Sequence, residues 1–393
     1  MKDIEQIKSL EEQYQLKTYA KFPIALERGE GVYVFDTAGK RYLDFYGGHA
    51  VATTGHCHPA VVKAITEQAS KLIFYSNIVY STVRAEACEA LVSLAPAGLT
   101  QVFLCNSGAE ANETAIKAAR KFSGKPLIIS MREGFHGRTY GAMSITGFEK
   151  YRIYPPGLPG IEFATFGNAA ELEQLFGERG AEIACVILEP VQSMAGIRIA
   201  PPAYYRALRE LCTKHNAVLI FDEVQTGFGR TGANFFGENV GVTPDIITTA
   251  KGIASGVPMG ATFFHEKIAA AVKLGEHGAT FGGAPLACAA AKATVEVLKS
   301  ERLAEHAKVA GAKLIDGLQA ARLPGLKEIR GLGLLIGLEF ETEAKPIIQK
   351  LFERGVITGS SEEKHTLRLI PPLVVNENHC QELITALQDV LKE

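Results

Sequence analysis

The sequence predicts an α/β fold of two lobes, built on a mostly parallel sheet with helices on both faces. Three observations carry this. Short apolar runs alternate with helical stretches through the middle of the chain, the pattern of βαβ units. Those runs, such as Ala184-Cys185-Val186-Ile187-Leu188, are apolar throughout, as in strands buried on both faces. The chain has 393 residues, more than one small core needs.

Ile4, Ile7 and Leu10 recur at helical spacing, so a short amphipathic helix opens the chain. Residues 31–36 and 41–45 read as strand, turn, strand, and are assigned to the C-terminal lobe. Gly55-His56-Cys57-His58-Pro59 reads as a turn before a helix. A strand over residues 102–105 leads into a helix over 109–121. Residues 126–130, 184–188 and 218–221 are further strands, and 203–215 a helix. An Ala-rich helix over 286–299 bridges to the C-terminal lobe, where 331–339 reads as a strand. The expected division is a small domain from 1–55 and 291–393, around a large domain over 56–290.

Composition narrows the function. Apolar residues make up 47% and charged residues 21%, with a formal net charge of −2. Bulk charge therefore attracts neither nucleic acid nor an anionic membrane. No apolar run approaches the ~20 residues of a membrane span. The charged start, Met1 to Lys8, lacks a signal-peptide apolar core, and the cysteine usage points to the cytoplasm. The seven cysteines are scattered without a CxxC pair, so reduced thiols and no metal site are expected.

The chemistry-bearing signals sit at strand ends. Leu219-Ile220-Phe221-Asp222 is an apolar strand closed by an acid, and a second run, Ile246 to Ala250, closes on Lys251. Pyridoxal phosphate needs such a pair. A lysine amine forms a Schiff base with its aldehyde, and a carboxylate keeps its pyridinium nitrogen protonated. Asn106-Ser107-Gly108-Ala109 joins a strand to a helix N-terminus, where free backbone N–H groups receive a phosphate. An ordinary N-cap at Ser107 is the alternative. Gly227 to Gly232 spells GxGxxG. It is rejected as a dinucleotide site, because it follows its strand too late and glycines and a proline, not a helix, are expected after it.

Phe135 is the candidate to stack on the cofactor ring, with a plain core phenylalanine as the alternative. Arg138 and Arg368 each offer a bidentate fork to a substrate carboxylate, and Arg368 lies in an apolar run where an unpaired charge is costly. Glu223 faces away from Asp222 in an extended chain and is read as structural. The Gln225 amide can reach the ring's phenolic oxygen.

Asn106 to Asn112, Phe135 to Thr139, Phe221 to Arg230 and Ala250-Lys251-Gly252 stand together in one order. In this the chain resembles the class III pyridoxal-phosphate-dependent aminotransferases, of the ornithine and acetylornithine type, nearly end to end. The resemblance implies fold type I, a large domain with a mostly parallel seven-stranded sheet plus a small α+β domain. It implies pyridoxal 5'-phosphate as cofactor and a homodimer with active sites at the interface. It places Lys251 and Asp222 as catalytic residues. Ser107, Gly108, Ala109, Phe135, Val224 and Gln225 are implied cofactor contacts, with Thr280 reaching the partner's phosphate. Arg138, Arg368 and Ala279 are implied substrate contacts. The implied reaction moves a terminal amine, best from N-acetylornithine, to 2-oxoglutarate. Ornithine, 4-aminobutyrate, a diamine, carrier-linked lysine, or mutase or racemase chemistry are alternatives. One departure stands out. Related sequences often carry a glutamate where Glu189-Pro190-Val191-Gln192-Ser193-Met194 has Met194, and methionine cannot neutralise Arg368.

Overall fold

The computed structural model describes residues 3–392. Its centre is a seven-stranded sheet in the order Leu99–Cys105, Gly260–His265, Ile246–Thr249, Val218–Asp222, Ile183–Leu188, Leu127–Met131, Ile161–Ala164. All pairings are parallel except those made by Gly260–His265, which runs against both neighbours. Every residue of Val218–Asp222 and Ile183–Leu188 is buried, which accounts for their unbroken apolar character.

The parallel strands all finish at one edge, and the chemistry-bearing residues lie just beyond it. Asp222 ends its strand, Lys251 follows Ile246–Thr249, and Ser107 follows Leu99–Cys105. In open α/β sheets this carboxyl edge is where ligands bind. The helices expected over 109–121, 203–215 and 286–299 are Gly108–Ser123, Pro202–Lys214 and Pro285–Ser300.

Both ends of the chain share a sheet. Leu26–Glu30, Tyr33–Asp36 and Arg41–Asp44 form an antiparallel meander, and Val356–Ile357 adds to Leu43 and Asp44 in parallel. A second sheet holds Leu326–Leu332, Leu335–Phe340, Thr366–Leu369 and Gly359–Ser360. Two sequence expectations are corrected here. Residues 331–339 are not one strand but parts of a hairpin, turned at Gly333 with φ 58°, a conformation glycine adopts without a steric penalty. The segment after Gly232 does contain helix, the single turn Gly237–Val240.

Candidate active site

Asp222 is 3% exposed, and its carboxylate is fixed from three sides. Oδ2 accepts hydrogen bonds from Asn112 Nδ2 and His136 Nδ1, both at 2.7 Å. Oδ1 accepts from the Val224 N–H at 3.1 Å. Asn112 projects from the helix Gly108–Ser123 and is held in turn by Thr248 Oγ1 at 2.6 Å and by the His136 carbonyl at 2.8 Å. The neighbouring Glu223 turns inward to accept from the Phe236 N–H at 2.7 Å and Thr226 Oγ1 at 3.0 Å. Its reading as structural fits these bonds.

Lys251 is half-buried and sits in the left-handed region, φ 46°. A non-glycine residue there stores about 1–3 kcal/mol of strain, so the surroundings hold it. Its neighbour Gly252 presses on Thr53, whose Oγ1 would lie 2.1 Å from an added Cβ. Burial, then the charge of Arg368, lowers the Lys251 amine to about 7. His49 is driven to about 2 by burial and then by the charges of Lys251, Arg368 and Arg138. That neutral ring marks the space on which the three basic side chains converge.

At the expected phosphate cradle, Ser107 Oγ accepts from the Glu110 N–H at 3.2 Å, so Ser107 does act as an N-cap. The Gly108 and Ala109 N–H groups nonetheless have no partner among the described residues. They remain available to a phosphate at the positive end of the helix. A Cβ on Gly108 would stand 2.8 Å from Val224 Cγ2, and one on Gly137 2.6 Å from the Ala109 Cβ. Those two close approaches bring Val224 and the Phe135–Arg138 loop against the cradle. Phe135 is half-buried, its N–H donating to Glu189 Oε1 at 2.8 Å.

Arg368 is 1% exposed. Its Nε donates to the Ser360 carbonyl at 2.6 Å and its Nη1 to Ser193 Oγ at 2.9 Å. No carboxylate pairs with it among the described residues. Met194 offers only its carbonyl, which accepts from the Glu362 N–H at 2.8 Å. Ser193 Oγ passes on a hydrogen bond to Gln225 Oε1 at 3.1 Å, joining the buried arginine to the expected ring contact. Arg138 is exposed, Ala279 half-buried and Thr280 exposed. Within the single chain no hydrogen bond links Ala279 or Thr280 to Lys251, Asp222 or Ser107.

The sequence profile described as "Aminotransferase class-III" matches residues 14–391. The chain belongs to the class III aminotransferases. It is 44% identical to the acetylornithine aminotransferase of Methanocaldococcus jannaschii, over 98% of this chain and 97% of that one. It is 42% identical to that of Methanopyrus kandleri, over 98% of each. The ornithine aminotransferase structure from Toxoplasma gondii superposes with a TM-score of 0.94 at 32% identity, covering 100% of this chain and 96% of that one. This class III aminotransferase has fold type I and is a pyridoxal-phosphate-dependent transaminase. Its residues fit the cofactor: a depressed lysine, a carboxylate locked by three donors, and two unpartnered N–H groups.

Sequence reasoning missed Asn112, His136, Ser193 and His49 as site members. The signal for His136 lay within the Phe135–Thr139 run, beside Phe135 and Arg138. For Asn112 it was the inward face of the helix after the cradle, four residues beyond Gly108.

The buried Glu223 yields a stability prediction for this aminotransferase. Burial raises its carboxyl from 4.5 to about 8. A carboxyl raised on folding loses stability as pH climbs from the unfolded value to the folded one, because only the unfolded chain ionises in that window. Glu223→Gln keeps an acceptor for Phe236 and Thr226 and removes this titration. Wild type is expected to lose stability relative to the variant between pH 5 and 8, by the order of a few kcal/mol. Denaturant melts across that range check it, and parallel pH profiles contradict it.

Proposed function

We propose that this enzyme moves the terminal amine of an ω-amino substrate to 2-oxoglutarate, with N-acetylornithine as donor, giving a semialdehyde and glutamate. Arg368 carries the reading. A fully buried guanidinium with no carboxylate in ion-pair contact among the described residues is a standing receptor for a carboxylate. The Methanocaldococcus and Methanopyrus relatives are acetylornithine aminotransferases, which favours that donor. Ornithine stands second, on the Toxoplasma neighbour.

Lys251 is the attachment residue and Asp222 the partner of the ring nitrogen. Ser107, Gly108 and Ala109 receive the phosphate, Phe135 and Val224 confine the ring, and Gln225 reaches its phenolic oxygen. When bound, pyridoxal phosphate supplies an electron-accepting ring that acidifies the C–H beside the transferred amine. Lys251 Nζ, lowered to about 7 and so present in both forms near that pH, takes that proton as a base and returns it as an acid. Asp222 faces the ring nitrogen, held by Asn112 and His136. Arg368 binds the carboxylate next to the reacting carbon of 2-oxoglutarate. Arg138 binds the carboxylate at a substrate's far end, and Ala279 lines the pocket.

A homodimer with interface sites completes the proposal. Ile73, Tyr75, Ile78, Tyr80 and Phe281 are exposed, and the Phe74 and Phe281 rings lie 5.1 Å apart. This apolar face is continuous with Thr280, which would reach the partner's phosphate. The strand pairing of residues 43–44 with 356–357 supports a small domain from 1–55 and 291–393 around a large one over 56–290. No helix among the described residues is long and apolar enough to cross a membrane. The unpaired cysteines favour the cytoplasm.

A donor panel with 2-oxoglutarate tests the substrate. N-acetylornithine is expected to exceed ornithine, 4-aminobutyrate, a diamine and a carrier-linked lysine in kcat/KM by about tenfold or more. A rank far below any of them removes the donor assignment. Product formed without any oxo acid points instead to a mutase or racemase.

A further inference from the structure

Arg138 is held by rings and by the Tyr151 hydroxyl rather than by an acid. Its Cζ lies 5.0 Å from the Tyr151 ring centroid and 6.0 Å from that of Phe135. No carboxylate pairs with it among the described residues. Phe135 and Tyr151 meet edge to face, 5.4 Å between centroids, and Phe148 closes on Tyr151 at 6.1 Å. One ring thus supports both the proposed cofactor stacker and the proposed substrate anchor.

Tyr151 is itself tethered. Its hydroxyl donates to Glu362, and Lys150 Nζ pairs with the same carboxylate. The Glu362 side chain is 17% exposed and that of Lys150 58%, so the lysine reaches in from solvent. Burial and then the Glu362 bond raise the Tyr151 phenol to about 12, keeping it a donor at working pH. Burial opposes ionisation of Glu362, but Lys150 and Tyr151 outweigh it and hold the carboxyl below its usual range.

Glu362 belongs to the turn between Gly359–Ser360 and Thr366–Leu369, the strand that carries Arg368. Its N–H donates to the Met194 carbonyl at 2.8 Å. The acid missing from position 194 is therefore not replaced in contact with Arg368. Instead a neighbouring turn supplies a carboxylate that bonds Tyr151 and Lys150 and reaches Arg368 only through its charge. A long guanidinium side chain has many rotamers, and a fixed ring beneath it restricts them before substrate arrives.

We propose that Glu362, acting through Tyr151, is a positioning residue that sets the Arg138 guanidinium for the carboxylate at the far end of the substrate. The site thereby selects substrates with an anionic group remote from the reacting carbon. This rests on the reading of Arg138 as the distal-carboxylate anchor.

Calorimetric binding to the holoenzyme tests it without turnover. Glutarate carries two carboxylates and neither an amine nor an oxo group, and butyrate carries one. Tyr151→Phe is expected to weaken glutarate by roughly tenfold and to leave butyrate unchanged, and Glu362→Gln, whose charge also reaches Arg368, is expected to weaken glutarate relative to butyrate by a similar factor. Tyr151→Phe keeps the ring and its packing, so it remains informative if Glu362→Gln loosens the turn. Glu362→Asp is expected to recover part of the loss. In an Arg138→Gln background, Glu362→Gln is expected to have no further effect. Glutarate affinity that survives both tether variants but falls in Arg138→Gln overturns the proposal and leaves the anchor reading intact. Equal weakening of glutarate and butyrate marks general loosening and also overturns it. No effect of Arg138→Gln on glutarate removes anchor and proposal together.

Discussion

Lys251→Ala is expected to leave transamination roughly 10⁴-fold or more below wild type, even at saturating pyridoxal phosphate. The size follows from the two duties the geometry gives one amine. Its charge is felt by both His49 and Glu189 at this site. Burial and Arg368 bring it to about 7, so much of it is neutral at physiological pH and ready to accept a proton. Alanine removes the attachment and the proton carrier together. Single-turnover assays with N-acetylornithine measure the loss. Borohydride reduction and peptide mapping check its origin: the wild type is expected to carry a pyridoxyl adduct on Lys251, and the variant none. Folding does not confound the result. The folded amine sits below its usual 10.5, so the unfolded chain binds the extra proton between about 7 and 10.5, and the apoprotein loses stability as pH falls through that window. The variant lacks this penalty, and its apo form is expected to melt no lower than wild type at pH 7. Wild-type turnover by Lys251→Ala, or an adduct on another lysine, contradicts the assignment.

How much of this was legible depended on sequence distance. The central strands were visible because a strand buried on both faces writes itself as an unbroken apolar run, as Ile183–Leu188 does. The strand ends then located Asp222, Lys251 and Ser107. Gly260–His265 was not visible, although five of its six residues are buried. It opens on Gly260-Ala261, which lack the bulky side chains that mark a strand. The hairpin over 326–340 was blurred in the same way, because Gly333 turns the chain where the apolar run continues. The donors that lock Asp222 were out of reach for another reason. Asn112 lies 110 positions away and His136 86, and no local pattern encodes such a pairing. Tyr151 and Glu362 are 211 apart. Thr280 is different again, since its proposed role requires a second copy of the chain.

Asp222→Asn is expected to lower kcat by roughly 10²- to 10³-fold, the usual loss when one preorganised electrostatic partner is removed. The substitution is nearly isosteric, so its effect is on charge and hydrogen-bond direction. At Oδ2 the native carboxylate already accepts from Asn112 and His136, and at Oδ1 from Val224. An amide has one acceptor oxygen and one NH₂ donor. With its oxygen toward Asn112 and His136, its NH₂ faces the Val224 N–H, donor against donor. Flipped, it sets NH₂ against Asn112 and His136 instead, and leaves two buried donors unsatisfied. Neither orientation provides the negative charge that keeps the ring nitrogen protonated, so the acidifying power of the cofactor falls while its attachment to Lys251 persists. Kinetics and mapping together separate this from misfolding: the borohydride adduct on Lys251 is expected to remain while kcat collapses. Retention of kcat within a few-fold of wild type contradicts the ring-nitrogen role and leaves Asp222 as a structural acceptor for Asn112, His136 and Val224.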